Sequence, residues 1–168
     1  VFMIHPKAHV SPDCKIHEAA TVWQFASVTG GTILAAGVSV SPFAMLHGPQ
    51  IGENTRISAG VAMGPGFLVG ADVFIGPNVT VCNDAWPRAH KDGYEPGAFE
   101  REGKFAVVIE DGASIGANAV ILPGVRVGAR SMIAAGSVVT SDVPPGMLWK
   151  GDSWREMIGE GQRMRFAK

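Results

Sequence analysis

The sequence predicts an all-β protein of the parallel β-helix class, because an apolar residue recurs every six positions along most of the chain. The period shortens by one residue between Leu46 and Ile51, and it breaks once after Val81. The twenty apolar positions are Ile4, Val10, Ile16, Val22, Val28, Leu34, Val40, Leu46, Ile51, Ile57, Met63, Val69, Ile75, Val81, Ile109, Ile115, Ile121, Val127, Ile133 and Val139. A solenoid of this kind has no internal cavity, so function is expected where the rhythm is interrupted or between subunits.

Each six-residue unit has room for one short strand and one tight corner, so three units make a triangular coil of eighteen residues. Residues eighteen apart then stack, which pairs Ile57 with Ile75 and Ile109 with Val127. Stacking buries one continuous core that no single unit could bury. Small residues, such as the glycine that often follows the apolar position, are expected to allow tight corners and unusual φ values. We expect a single domain, 1–168, with six to seven coils over about 4–144.

The break in the rhythm predicts an inserted loop over about 84–107. If Val81 opens a unit, the next unit should open at position 87, yet the rhythm returns at Ile109, a surplus of 22 residues. The segment is polar, carries Trp86 and Tyr94, and is punctuated by proline and glycine. A long loop inside a compact solenoid is usually functional or disordered, and the aromatic and charged content favours function.

The C-terminal segment predicts a short helix after the last coil. Two prolines within 143–146 stop the strand pattern. Ser153 and Glu156 then have the spacing of a capping box, and apolar residues follow at helical spacing. We therefore expect a helix over about 153–165 that covers the open end of the solenoid.

Composition argues against several function classes. The formal net charge is −1 and no basic stripe occurs, so neither nucleic acid nor a membrane surface is an expected partner. No apolar run approaches the roughly 18 residues that span a bilayer, and the segment from Val1 to His5 lacks the features of a signal peptide. Cys14 and Cys82 have no metal-ligand spacing and are too few for a disulfide framework. We expect free thiols, no metal and a cytoplasmic protein.

A motif at the edge of the break resembles a known enzyme family. The segment 75–88 runs a hexapeptide unit into Asn83-Asp84-Ala-Trp-Pro-Arg88, which resembles the hallmark of nucleotide-linked 3-amino-sugar N-acetyltransferases. The upstream Trp23-Gln24-Phe25 is similar to a Trp-x-Phe element of the same family, and 115–119 and 134–144 resemble general acetyltransferase coils. The resemblance extends to about Met147 and implies a left-handed parallel β-helix. The chain departs from the family at Cys82, where threonine is expected, at the additional His90, and at 150–153, which replaces a Gly-x-Pro-Ala ending.

The resemblance implies transfer of an acetyl group from acetyl-CoA to the amine of a dTDP- or UDP-linked 3-amino sugar, in the synthesis of lipopolysaccharide or another surface glycan. Asn83 is expected to orient the amine or the acetyl carbonyl, and Asp84 to position the amine and stabilise the developing ammonium. An amine with a pKa near 8 is roughly one-tenth neutral at pH 7, so supplying the neutral form requires only about 1.4 kcal/mol. Positioning of the two substrates contributes more, so we expect direct attack. His90 is the alternative general base, because imidazole titrates near pH 6.5.

Several residues are candidates for binding the acceptor. The guanidinium of Arg88 suits a pyrophosphate, although a surface ion pair is the structural alternative. Trp23, Trp86 and Tyr94 could stack on the base or the sugar, and for Trp23 packing in the core is the alternative. Gln24 could hydrogen-bond the ligand or face solvent.

The resemblance places coenzyme A against the coils after the loop. Backbone N–H groups around Ala117, Ala135 and Gly136 are the expected contacts, because small side chains let the pantetheine lie close. Lys150 and Arg155 could meet the phosphates, or they could be solvated charges. The other histidines, His5, His9, His17 and His47, are expected at the surface.

The sequence leaves other functions open. The acceptor could be a 4-amino sugar or a hydroxyl, and Asn83-Asp84 could be ordinary turn chemistry. A γ-carbonic anhydrase-like protein would need three histidine ligands around a metal, and the histidines here are scattered. A non-catalytic scaffold would not need the motif in the loop. We also expect a homotrimer with active sites between neighbouring subunits, since a flat solenoid face and a long loop favour closed cyclic symmetry.

Overall fold

The computed structural model describes residues 3–89 and 105–157, and within them the chain forms 22 β-strands and no helix, so nothing there is a helix able to cross a membrane. The strands before the break are β1 (Met3–Ile4), β2 (His9–Val10), β3 (Lys15–Ile16), β4 (Thr21–Val22), β5 (Ser27–Thr29), β6 (Ile33–Leu34), β7 (Ser39–Val40), β8 (Met45–His47), β9 (Gln50–Ile51), β10 (Arg56–Ile57), β11 (Ala62–Met63), β12 (Phe67–Val69), β13 (Phe74–Ile75) and β14 (Thr80–Val81). The strands after it are β15 (Val107–Ile109), β16 (Ser114–Ile115), β17 (Val120–Ile121), β18 (Arg126–Val127), β19 (Met132–Ile133), β20 (Val138–Val139), β21 (Met147–Lys150) and β22 (Ser153–Glu156).

The strands stack into three sheets, which we call faces A, B and C. Face A has the order β1-β4-β7-β10-β13-β16-β19-β21-β22, face B the order β2-β5-β8-β11-β14-β17-β20, and face C the order β3-β6-β9-β12-β15-β18. The chain passes through A, B and C once in each coil and makes about seven coils, an arrangement that fits a left-handed β-helix. We name the corners A–B, B–C and C–A after the faces they join.

The predicted coil register is confirmed. Ile57 pairs with Ile75 and Ile109 pairs with Val127. All twenty predicted apolar positions lie in strands, and all are buried except the three of the first coil, which are half-buried. The five-residue step is taken up at Gly48, whose φ of +89° is accessible mainly to glycine.

The glycines that follow apolar positions have a different role from the predicted one. Gly52 and Gly116 do not adopt positive φ. A Cβ at Gly52 would instead lie 2.4 Å from the carbonyl carbon of Gly70, and a Cβ at Gly116 would lie 2.4 Å from the nitrogen of Ala135. These glycines therefore let successive coils approach closely. The left-handed conformation falls two residues later, for example at Asn54, where φ is +56°.

The break is an insertion at the B–C corner of coil 5. Strand β14 ends at Val81 on face B, and β15 begins at Val107 on face C, where Ile109 pairs with Val69. The coil therefore resumes in register after the insertion. Residues 90–104 lie outside the described residues, so the structure describes only the two ends of the predicted loop 84–107.

The predicted helix over 153–165 is wrong at its start. Residues Ser153–Glu156 form β22, which pairs antiparallel with β21 through a two-residue turn at Gly151 and Asp152. The physical reason is that β21 extends face A and buries Trp149 against the last coil (1% exposed), which offers β22 a sheet edge to pair with. The Gly-Asp dipeptide between β21 and the exposed strand β22 was a hairpin signal that the capping-box interpretation overlooked. Residues 158–168 lie outside the described residues.

Candidate active site

Asn83 lies where the solenoid is interrupted, and its side chain is anchored to the previous coil. It follows β14 at the B–C corner, and its Nδ2 donates a hydrogen bond to the carbonyl oxygen of Pro65 at 3.2 Å. A Cβ at Gly64 would lie 3.0 Å from the same nitrogen, so the glycine makes room for the amide. The carbonyl Oδ1, at the other end of the amide, is an acceptor suited to an amine N–H.

Asp84 organises the first turn of the insertion. Its Oδ1 accepts a hydrogen bond from the backbone N–H of Trp86 at 3.0 Å, the geometry of an Asx turn. The turn chemistry that the sequence left open is therefore present at Asp84. The side chains of Trp86 (74% exposed) and Arg88 face solvent beyond the turn.

His47 lies at the same corner two coils earlier, a placement that the sequence analysis missed. Its Nδ1 lies 2.9 Å from the Thr29 hydroxyl oxygen. The ring packs over Gly30, where a Cβ would lie 2.7 Å from Nδ1. The strand register stacks His47, Gly64 and Cys82 in successive coils, and Asn83 follows Cys82. The available signal was the coil period: with the one-residue shortening after Leu46, two coils after His47 end at Cys82, the residue before Asn83.

Asn83, Gly64 and His47 follow one another along the B–C corner over three successive coils. The Asn83 amide lies over Gly64 and the His47 ring lies over Gly30, so both side chains lean toward the preceding coil. Neighbouring strands are about 4.8 Å apart, so two coil steps separate the backbones of His47 and Asn83 by roughly 10 Å. The corner therefore carries two polar side chains, the exposed His47 and the half-buried Asn83.

Cys82 stands beside Asn83 and is half-buried. Burial raises the pKa of its thiol above the ordinary value of 9.0. A thiol of raised pKa stays protonated at neutral pH and is a poor nucleophile. Cys82 would therefore not compete with an incoming amine for a thioester at this corner.

The A–B corner presents backbone N–H groups in its last two coils. Among the described residues, no backbone acceptor takes the N–H of Ala117 or of Ala135. The equivalent corner position holds Pro42 and Pro77 in earlier coils, so the fold requires no N–H there. The predicted contact at Gly136 is different, because its N–H donates to the Ala117 carbonyl oxygen at 2.8 Å. Two of these three backbone groups are thus free for a ligand.

The other predicted binding residues are at the surface. Trp23 is 40% exposed, so packing in the core does not explain it, and Gln24 is half-buried beside it at the A–B corner of coil 2. Lys150 is exposed at the end of β21, and Arg155 donates to the Lys150 carbonyl oxygen at 3.4 Å. His5 is half-buried, and the remaining histidines before the break are exposed: His9, His17 and His47.

The predicted residues therefore fall on two corners, with face B between them. Trp23, Gln24 and the free N–H groups of Ala117 and Ala135 lie along the A–B corner, whereas the group from Asn83 to Arg88 lies at the B–C corner. One copy of the chain does not bring the two groups together. His90 and Tyr94 lie outside the described residues, so their predicted roles stay predictions.

The described part of the chain contains no cluster of three or more His, Cys, Asp or Glu side chains that could hold a metal ion. Within residues 3–89 and 105–157 there is accordingly no three-histidine arrangement of the kind that a γ-carbonic anhydrase-like centre would need.

Comparisons with known proteins agree with the coil architecture. Residues 48–83 and 106–141 match the family described as bacterial transferase hexapeptide (six repeats). Over 153 residues the chain is 34% identical to the bifunctional protein GlmU of Thermotoga petrophila, a match that covers 91% of this chain and 31% of that protein. The chain therefore spans about a third of the length of this relative.

Two solved structures extend the comparison. A hexapeptide-repeat-containing acetyltransferase of Vibrio cholerae, complexed with acetyl coenzyme A, is 29% identical with a TM-score of 0.52, over 84% of this chain and 70% of that one. LpxA of Bacteroides fragilis, a UDP-N-acetylglucosamine acyltransferase, is 17% identical with a TM-score of 0.61, over 98% and 78%, and shares the fold. The repeat match and the three-faced coil show that the chain belongs to the hexapeptide-repeat acyltransferase superfamily of left-handed β-helix proteins.

Proposed function

We propose that the chain is an acetyl-CoA-dependent N-acetyltransferase that acts on a nucleotide-linked 3-amino sugar. The observation that carries the proposal is the Asn83 amide at the interrupted corner, which is anchored to Pro65 through Nδ2 and has its carbonyl oxygen as an acceptor for an amine. The acetyl coenzyme A bound by the Vibrio cholerae relative supports the proposal that acetyl-CoA is the acetyl donor. A product of this kind would serve surface-glycan synthesis, and we place the reaction in the cytoplasm, where both substrates are made.

The reaction needs positioning more than a strong base. The neutral amine attacks the acetyl carbonyl carbon, a C–N bond forms, and the C–S bond then breaks. The proton lost by nitrogen passes to the departing thiolate, which leaves as the free thiol of coenzyme A. Because Nδ2 of Asn83 is held by Pro65, Oδ1 is the group that would accept from the amine and aim its lone pair. The Asp84 carboxylate would stabilise the positive charge that develops on nitrogen.

The two-corner arrangement supports an active site shared between subunits of a homotrimer. The donor contacts at Ala117 and Ala135 and the acceptor contacts at Asn83 lie on different corners of one chain, so a neighbouring copy would have to bring its B–C corner against the A–B corner. Closed cyclic assembly would make three such sites. Lys150 and Arg155, exposed at the end of the solenoid, would reach the phosphates of coenzyme A.

His47 joins the proposed acceptor site as a positioning residue. Its ring is held by Thr29 through Nδ1, so Nε2 is the edge that would contact a hydroxyl of the bound sugar. His90 keeps the role of alternative general base.

A thiol-release assay tests the proposal. Free coenzyme A is measured with acetyl-CoA and matched dTDP- and UDP-linked 3-amino sugars, 4-amino sugars and the corresponding 3-hydroxy sugars. We expect turnover with a 3-amino sugar at least 10-fold faster than with the others. Turnover only with a 4-amino sugar or a hydroxyl acceptor would overturn the substrate assignment. No thiol release with any acceptor would overturn the assignment of acetyltransferase activity.

A further inference from the structure

We infer that the A–B corner of coils 2 to 4 is a binding slot for a planar nucleobase, built on the stacked rings of Phe25 and Phe43. The two rings lie with centroids 5.4 Å apart and planes 17° apart, at successive coils of one corner. They are 51% and 66% exposed, so the stack is an open platform and no part of the core. The inference rests on the proposed function only in taking the base to belong to the acceptor nucleotide.

The backbone at the two phenylalanines indicates that the rings are there for contact with something outside the coil. Phe25 and Phe43 have φ of +62° and +63°, the left-handed region that bulky residues rarely adopt. In later coils the same corner position is held by residues that tolerate this conformation: Gly60, Asn78, Asn118 and Gly136. Neither ring is buried, so core packing does not offset the strain. A ligand that stacks on the rings would offset it.

The platform has one covered end and one open end. The Lys7 ammonium lies 5.7 Å from the Phe25 ring centroid and covers that face. The outer face of Phe43 looks toward the next coil, where Gly60 has no side chain of its own and the Asn78 amide of coil 5 reaches back over it. A planar ring stacked on Phe43 would lie about one strand spacing of 4.8 Å from that ring, against the Asn78 amide.

The open end also carries a hydrogen-bonding group, which favours a heteroaromatic ring over an apolar partner. The Asn78 Oδ1 reaches back so far that a Cβ at Gly60 would lie 2.2 Å from it. An amide offers both a donor and an acceptor to the edge of a base. Lys7 and Asn78 place polar groups at the two ends of the platform. An apolar protein surface docked on the rings would leave these polar groups without hydrogen-bond partners.

The slot lies on the same corner as the free N–H groups of Ala117 and Ala135, three and four coils away from Phe43. A base at coil 4 and coenzyme A at coils 5 to 7 would occupy consecutive parts of one groove. Their reactive ends would then meet near coil 5, the level of the Asn83 corner that a neighbouring copy would supply.

Equilibrium binding of UDP, dTDP and GDP, with inorganic pyrophosphate as the base-free probe, tests the inference without acetyl-CoA. Phe43→Leu keeps the apolar volume but removes the ring, and it should weaken binding of at least one nucleoside diphosphate about 10-fold, the effect of losing a stacking partner. Phe43→Tyr should restore binding. The matched control is Phe74→Leu, an equally simple change at a phenylalanine that is 44% exposed on face A, which should bind as the parent does.

Photocrosslinking with 5-iodouridine diphosphate locates the base directly. Attachment at Phe43 or Phe25 supports the slot, and attachment only elsewhere overturns it. Unchanged nucleotide affinity in Phe43→Leu also overturns it, as does a change in oligomer mass without a change in affinity, which would mean that a second copy covers the rings. If the parent binds no nucleoside diphosphate, the inference of a nucleobase slot is wrong. The thiol-release assay with other acceptors still tests the proposed acetyltransferase activity separately.

Discussion

The A–B and B–C corners turn the same chain through the same angle in every coil, yet they present different chemistry. The A–B corner continues without interruption through all seven coils and offers rings in its early coils and bare backbone, as at Ala117, in its late ones. The B–C corner is interrupted once, and there it presents the amide of Asn83 and the carboxylate of Asp84, with the His47 imidazole two coils earlier along the same corner. A continuous corner suits long ligands, whereas the interrupted corner suits a reacting centre.

The largest expected effect is at the interrupted corner. Asn83→Ala should lower kcat/KM for the amino sugar 10- to 1000-fold, since it removes a positioning hydrogen bond made in the transition state. Asn54→Ala, at the C–A corner, is the matched control and should stay within about 2-fold. Steady-state kinetics with both variants decide the comparison, and equal kinetics in Asn83→Ala and the parent would remove Asn83 from the site.

Two substitutions of Asp84 distinguish the effect of turn geometry from the effect of the negative charge at the same corner. Asp84→Asn keeps an acceptor for the Trp86 N–H, whereas Asp84→Ala loses it. If the carboxylate stabilises the developing ammonium, both variants should lose activity in the 10- to 1000-fold range. Parent-like activity in Asp84→Asn would reduce Asp84 to a turn residue.

We expect substitutions of the two histidines, His47 and His90, to change different kinetic parameters. His47→Ala should raise KM for the nucleotide sugar about 10-fold with kcat nearly unchanged, and Thr29→Val, which frees the ring, should produce a smaller shift in the same direction. His90→Ala should leave kcat within a few-fold of the parent, with the rate still rising toward pH 8 as the substrate amine loses its proton. A loss of 10²- to 10⁴-fold in kcat for His90→Ala would instead identify a general base.

The continuous corner should respond to added bulk. Ala135→Leu should raise KM for acetyl-CoA about 10-fold, because the side chain would stand between the pantetheine and the free N–H. Ala36→Leu, at the half-exposed C–A corner, is the control and should leave this KM unchanged. An unchanged KM in Ala135→Leu would mean that coenzyme A lies elsewhere.

The smallest effect concerns Cys82 and pH. Its folded-state thiol pKa is raised by burial above 9.0, so the unfolded chain loses its proton first as the pH rises. The stability associated with the neutral thiol is complete below pH 9 and is lost as the pH rises through the folded-state pKa. Cys82→Thr should therefore show a shallower fall in Tm above pH 9 than the parent. Parallel Tm curves would contradict this.

The sequence predicted the solenoid well because each coil repeats one local rule, an apolar residue such as Ile57 above Ile75, and the rule needs no distant information. The hairpin that carries Trp149 was missed because a sheet edge, absent from any local pattern, overrides the capping box at Ser153. At the candidate site, a motif pointed to Asn83 and Asp84. No motif pointed to His47 or Phe43, since the proposals for them come from contacts between coils: a bond to Thr29 in one case and a ring on Phe25 in the other.

The central claim is that each active site combines the A–B corner of one copy with the B–C corner of the next. Co-expression of Asn83→Ala with the double variant Ala117→Leu/Ala135→Leu tests it, because each variant keeps one corner intact. In a random 1:1 population of trimers, about one interface in four would hold two intact corners, so activity should recover to roughly a quarter of the parent's at acetyl-CoA near its parental KM. No recovery in oligomers shown by mass to be mixed, or a monomeric mass for the parent by light scattering at micromolar concentration, would contradict the account.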